Sequence, residues 1–387
     1  MWQDLTKQFG PVYTFWMGYL PMVVVTDWNL IKQHFIKEGH LFTGREQFPV
    51  SIEMRRGCYG IIETFGDRWL QQRRFAIHVL RDFGMGRNLM EEKVLCEVQA
   101  MIDHLKKVQN VPFDMANILD SSVGSIINSF LFGYRFDENN IHEFLTLKSR
   151  LDKHMRIAMT PVGILIAVFP SLGNFPFFKQ QKALIMDNMG GLFKMFREVI
   201  DEKLRTIDYD NDEYSDYVEA FLKEQLDREI GSDRIITTSD KSNLNYINAT
   251  INESQRMANL LPMNLQRKTS EEVKVGNFTI PANTVVLPQI SSVLYDETYF
   301  PNPSKFNPSR FLENGQLLKI EQFVPFSIGK RQCLGEGLAK LELFLFFANL
   351  FNQFEISLDP SGGVPSTEKQ IGIAVRAKNF QILLKSR

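Results

Sequence analysis

The chain has 387 residues with 44% hydrophobic and 12% aromatic content, enough for one large or two ordinary domains with a sizeable apolar core. A formal net charge of -1 gives no electrostatic footprint for nucleic acid. Three dispersed cysteines, Cys58, Cys96 and Cys333, include no CxxC pair; this argues against a disulfide scaffold and a structural zinc site and fits a reducing, cytosol-facing compartment.

Met1-Trp-Gln-Asp4 leads directly into globular patterning, so neither a signal peptide nor a membrane span is expected. Val12 to Met17 and Met22 to Val25 are short apolar runs around Tyr19-Leu20-Pro21 and read as a hairpin. Asp27 then caps a helix through Phe35. After an irregular segment containing Gly57-Cys58-Tyr59-Gly60, a helix is expected from Asp67 to Leu80. On it Trp69 and Arg73 stand i, i+4, so an indole N–H and a guanidinium face the same way. Helical periods continue through Met90–Val108, Met115–Leu131, Asn140–Met159 and Lys179–Leu204. The longest uncharged run, Pro161 to Phe178, is interrupted by Pro170, Gly173 and Pro176, so a continuous span of about 20 apolar residues is ruled out. Insertion into a membrane surface and burial in the core are equal readings of it. Thirty-two phenylalanines point to an apolar interior or ligand cavity.

Asp208 to Asp216 reads as a solvated connection. From Asp240 a helix-forming stretch leads to Glu253-Ser-Gln-Arg256, where carboxylate and guanidinium meet on one face. Val273–Val275, Phe278–Ile280 and Val285–Leu287 read as the strands of a small sheet, with Arg267 just before them. Phe306-Asn-Pro308-Ser-Arg310-Phe311 holds a further arginine between prolines and aromatics. Then comes Phe326-Ser-Ile-Gly329-Lys-Arg331-Gln-Cys333-Leu-Gly335, followed by a helical run from Glu336 to Phe354. A cysteine at the mouth of a helix sits where unpaired N–H groups and the dipole stabilise a thiolate. Gly329 and Gly335 lack Cβ atoms, so the chain turns sharply and a large flat object can lie against it. Arg331 supplies a cation at its edge and Phe326 an apolar wall. These are the requirements of a haem held through one cysteine sulfur, with an arginine for a propionate. An isolated cysteine is more commonly a buried structural one; here all five features occur together at fixed spacing.

The stretch resembles the cysteine-ligand loop of the cytochrome P-450 superfamily, Phe-x-x-Gly-x-Arg-x-Cys-x-Gly, at every specified position. The resemblance implies a mainly α fold with a small β-sheet, laid over residues 1–387 as one domain. It implies haem b as cofactor, with Cys333 the axial ligand to iron. Trp69 and Arg73, the Trp-x-x-x-Arg element, would grip the propionates, with Arg331 and Arg267 as further contacts and Phe326, Gly329 and Gly335 shaping the loop. Glu253, Arg256 and Arg310 match the Glu-x-x-Arg and Phe-x-Pro-x-Arg-Phe elements, which form a buried structural cluster locking the cysteine loop. Leu261, Pro262, Met263 and Ile373 to Val375 fall where the family lines its substrate pocket, and ordinary core packing explains them equally well. The implied activity is insertion of one atom of O2 into a small apolar substrate, with electrons from an NADPH-dependent reductase or another donor. Lys330, Arg331 and Lys340 could form part of a basic docking face for that donor, or a solvated rim. The implied location is the cytosolic face of the endoplasmic reticulum membrane, with a cytoplasmic location or a peripheral membrane contact the alternatives for a chain without a span.

Two pieces of the pattern are missing. The microsomal branch begins with a membrane anchor, and this chain starts after it. The family's long central helix, which carries an acidic residue followed by threonine, matches no helical stretch here, and no catalytic acid–threonine pair is identified. Tyr217–Gln225 passes straight into Leu226–Asp233, so an internal deletion is expected near 225–226 and the fold is expected to be incomplete. The alternative function is accordingly a non-catalytic or misfolded haem-binding variant.

Overall fold

β-Branched and aromatic residues before Gly18 and a run of valines after it pair as a hairpin, β1 (Val12–Met17) with β2 (Leu20–Val25). Gly18 lies at φ +64°, and a Cβ there would stand 2.3 Å from a Val168 methyl. The computed structural model describes the chain apart from residues 83–87, 109, 110, 138, 207–240, 242, 243, 360, 362, 363, 371, 373 and 387. The expected connection Asp208 to Asp216, the 225–226 junction, Asp240 and Ile373 therefore lie outside the described residues.

Helix α1 (Trp2–Phe9) precedes the hairpin, and α2 (Trp28–Lys32) follows it and continues into a π turn over Gln33–Lys37. The Asp27 carboxylate caps α2 by accepting from Leu30 N at 2.9 Å. Six further helices follow: α3 (Pro49–Arg55), α4 (Gly66–Asp82), α5 (Asn88–Lys107), α6 (Met115–Phe132), α7 (Ile141–Ala158) and α8 (Pro161–Val168). Pro170 opens a short 3-10 turn after α8, and α9 (Pro176–Thr206) starts at the next proline. The uncharged run is thus divided as its prolines require. No helix among the described residues is long and apolar enough to cross a membrane.

In the second half, α10 (Asn245–Ala258) leads to short strands, a one-turn helix α11 (Ile290–Leu294) and the closing helix α12 (Glu336–Gln353). The three predicted strands do not share one sheet. β4 (Val273–Val275) and β5 (Phe278–Ile280) form a separate ribbon. β6 (Val285–Pro288) instead runs parallel to β2 and antiparallel to β3 (Arg267–Lys268), giving the order β1-β2-β6-β3. Burial explains the separation, because all four β6 residues are buried while β5 exposes Phe278 and Thr279.

One core joins α5, α6, α10 and α12 through Val94, Leu105, Ile126, Ile251, Phe344 and Leu345. A second gathers the sheet, α2 and Ile328. The layer α7–α9 contributes to neither.

Helix α12 is apolar around most of its circumference because α5 and α10 both pack on it. Glu342 interrupts that surface with a buried Oε1 that has no partner, and burial pushes its carboxyl up to about 7 from 4.5. The folded value lies above the unfolded one. Its contribution to stability is therefore full below pH 4.5 and is lost as pH rises towards about 7, roughly 3 kcal/mol in all. Glu342→Gln is expected to remove that loss. Urea midpoints of variant and parent should converge near pH 5 and separate in the variant's favour at pH 8; coincidence at pH 8 would count against an orphaned carboxyl.

Candidate functional site

The cysteine loop hangs between the two cores. Ile328 is anchored in the sheet-side cluster, and Phe344 and Leu345 of α12 are anchored in the helical one. Within the loop, Cys333 N donates to Phe326 O at 2.9 Å and Gln332 N to Gly329 O at 3.0 Å. Gly335 is the N-cap residue of α12, so Cys333 stands two residues before it. The thiol side of Cys333 is exposed, as a ligand to an external group requires.

The two glycines act differently from what their spacing suggests. Gly329 lies at φ +65°, and a Cβ there would come 1.8 Å from the Phe35 carbonyl oxygen, so its bareness serves the turn's contact with α2's extension. Gly335 has an ordinary φ of -86° and open space around it, which leaves its face clear without any forced turn.

Around the loop lie four arginines. Arg331 is buried: Nε donates to Thr43 O at 2.8 Å, Nη2 to Thr64 O at 2.7 Å, and the guanidinium sits 3.9 Å over the Trp69 ring. Only Nη1, which leans on Ile61 O at 3.4 Å, remains to reach an anion. Arg331 therefore belongs to no surface docking face; Lys330 and Lys340 are the exposed cations, and Lys340 is paired with Glu336 at 2.6 Å. Arg267 donates from Nη2 to Ile328 O at 2.6 Å and lies 5.0 Å over the Phe35 ring. Its Nη1 is buried without a partner, as is Trp69 Nε1. Arg73 donates to Gln332 O at 2.9 Å, beside the cysteine.

Arg45 completes the group and went unnoticed in the sequence. It donates to the carbonyls of Ile62, at 2.9 Å, and Gln266. Thr43-Gly44-Arg45 looks like an ordinary loop; the signal is Gly44, which pairs with Lys268 so closely that a Cβ would meet Lys268 O at 2.8 Å.

None of these four guanidiniums forms an ion pair among the described residues. Burial followed by mutual repulsion pushes Arg331 down to about 9, the same pair of causes brings Arg267 to about 9, and burial, offset by Glu63, holds Arg45 at about 10. Such a site calls for negative charge. A planar group carrying two carboxylates and a metal open to a thiolate satisfies it, and haem b has that chemistry; the residues present fit it.

Glu253, Arg256 and Arg310 meet away from the loop. Glu253 accepts from Arg256 Nε at 2.8 Å and Nη2 at 3.0 Å, and from Arg310 Nε at 3.1 Å. Arg256 also reaches the carbonyls of Leu294 and Pro303, and Arg310 that of Pro301. All three side chains are almost fully buried. None of these bonds ends on residues 326–335. The cluster fixes the meander 294–311, and its influence on the cysteine loop passes through the chain between them.

One family model and three relatives bear on the chain's kinship. The model of the family described as Cytochrome P-450 matches residues 1–229 and 217–384. The chain is 31% identical to Cytochrome P-450 2C2 of Oryctolagus cuniculus over 91% of its own length and 82% of the relative's. It is 33% identical to Cytochrome P-450 2C23 of Rattus norvegicus, over 91% and 81%. It is 29% identical to Cytochrome P-450 2F2 of Mus musculus, over 99% and 88%.

Glu253→Ala leaves two buried guanidiniums facing each other and should cost roughly 3–5 kcal/mol in a urea titration. A midpoint equal to the parent's would show that the carbonyls alone hold Arg256 and Arg310.

Proposed function

We propose, from the premise that this chain belongs to the cytochrome P-450 family, that Cys333 is the axial ligand of its haem and that Trp69, Arg45, Arg73, Arg267 and Arg331 frame the propionates. The family is one of haem-dependent monooxygenases. The observation that carries the residue assignment is the group of guanidiniums without an ion pair among the described residues, three of them buried, around the loop that carries the exposed Cys333.

Thiolate-ligated haem, when bound, supplies the redox chemistry that activates O2 and delivers one oxygen atom to an organic substrate. The chain's own residues hold it and set its surroundings. Cys333 stands two residues before the N-cap of α12 and is exposed, so its sulfur is open to a metal ion. Trp69 Nε1 and Arg267 Nη1 are donors already desolvated and aimed, so little ordering remains when an anion arrives. Leu261, Pro262 and Met263 give an apolar wall for a small apolar substrate, and Val375 is held beside them through its N–H to Leu260 O at 2.9 Å. Lys330 and Lys340 present positive charge near the cysteine to an acidic electron donor such as an NADPH-dependent reductase.

A second reading applies to the literal polypeptide, and a specific observation favours it. The alignment with the mouse relative runs over 441 positions, 54 more than this chain has residues, so at least 54 of them face gaps in this chain. The family match itself breaks into two pieces that overlap at 217–229. Both support a block absent near 225–226, where the acid–threonine helix belongs. Without it the oxygen-binding face lies open, and the chain is a haem-binding variant that does not turn over.

The reduced, haem-supplied protein under carbon monoxide separates these readings. With the block restored from a relative, a strongly red-shifted Soret band is expected, and Cys333→Ala should abolish it. The chain as it stands should give a weak band or none. A full band in Cys333→Ala sinks the ligand assignment; a full band with substrate turnover in the unrestored chain sinks the second reading.

The membrane contact has its own support. Trp16 and Tyr19 at the hairpin tip, Ile164 and Leu165 on α8, and Phe175 and Phe177 beyond it are all exposed. They share one region, since Tyr19 packs on Phe169 at 5.5 Å and Gly18 abuts Val168. This apolar edge would rest on the cytosolic face of the endoplasmic reticulum membrane. Sedimentation with neutral phosphatidylcholine vesicles should fall at least fivefold in Trp16→Ser/Phe177→Ser; unchanged sedimentation would remove the edge from the reading.

A further inference from the structure

Arg331 presents an unusual balance. Its edge is held by backbone carbonyls of the 43–64 segment, and one of its faces lies 3.9 Å over the Trp69 indole. No carboxylate pairs with it, and three more guanidiniums stand nearby. Arg73 lies 5.9 Å from the same ring, one helical turn along α4, and donates to Gln332 O in the cysteine loop. Trp69 is 5% exposed, so the ring is dry and its quadrupole acts at low dielectric. The arrangement thus brings two cations of like sign to one aromatic ring, one from the loop and one from α4. No carboxylate forms an ion pair with Arg331 among the described residues.

We propose that the π face of Trp69 is a positioning clamp that seats Arg331, and with it the cysteine loop, against α4, separately from anything the indole N–H does. The loop's use in holding haem rests on the function proposed above; the clamp itself is a property of the chain. Its consequence is a division of labour on one side chain. The ring face fixes the loop, while Nε1, which has no partner among the described residues, is left for an anion.

Phenylalanine keeps an aromatic face and has no N–H; leucine has neither. Full-length chains carrying Trp69→Phe and Trp69→Leu are loaded with haem, and transfer of haem to excess haem-free myoglobin is timed. The Phe variant should release haem within about threefold of the parent, and the Leu variant at least tenfold faster than the Phe variant, which is about 1.4 kcal/mol. Equal release from both would overturn the clamp and leave the N–H as the working part. In an Arg331→Gln background the difference between Phe and Leu should vanish, because no cation remains to be seated; a difference that persists undiminished would assign it to packing and also overturn the proposal. Arg331→Met replaces Gln if that variant does not fold, since it too carries no charge to be seated. If no form takes up haem, the reading of this polypeptide as a haem-binding variant fails, and the ligand assignment is decided on the block-restored chain. The clamp is then decided on the haem-free chains, where the urea midpoint of the Leu variant should lie below that of the Phe variant and equality would overturn it.

Discussion

Uncompensated positive charge is the constraint around which this structure is built. Arg45, Arg73, Arg267 and Arg331 gather around the cysteine loop without an ion pair among the described residues, only Glu63 offsetting the burial of Arg45, and the first, third and fourth are almost fully buried. Burial of even one such cation costs several kcal/mol unless its donors are met. The chain meets most of them with backbone carbonyls from three separate segments, at Thr43, Ile62, Thr64, Ile328 and Gln332. What carbonyls cannot do is cancel the charge. An anionic cofactor would, and on the reading proposed above its oxygens would meet the two donors, on Trp69 and Arg267, that are unpaired among the described residues.

That solution depends on the loop being held in one place by two cores. Ile328 is locked into the sheet-side cluster, while the helix that begins just after the cysteine is locked into the helical one. Between them the backbone must pass the Phe35 carbonyl, and only a residue without Cβ can do so in the left-handed conformation found at Gly329. The Glu253 cluster acts further upstream. It orders residues 294–311, whose backbone carbonyls absorb the charge of Arg256 and Arg310, and so fixes the point from which the chain approaches the loop.

The helices α7–α9 stand apart from this arrangement, because none of the buried clusters draws on them. They carry one end of an exposed apolar edge. The residues proposed to grip a haem lie on other elements, so that grip does not draw on this layer.

Sequence by itself determined the cysteine loop, the helix register and the Trp69–Arg73 and Glu253–Arg256 pairs, because each depends on spacing within about one or two helical turns or on a short run of specified residues. It also determined the family. Three features were decided only by the tertiary structure. Val285 to Pro288 left its neighbouring ribbon to join the hairpin sheet, since parallel pairing with β2 buries all four residues and local periodicity does not encode that partner. Arg45 became part of the site because Gly44 pairs with Lys268, more than two hundred residues away. Arg331 turned inward onto Trp69 and the Thr43 and Thr64 carbonyls, although its spacing from Cys333 is equally compatible with an exposed cation. The physical reason is common to all three: long-range burial chooses among partners, whereas spacing along the chain specifies only which residues can be offered.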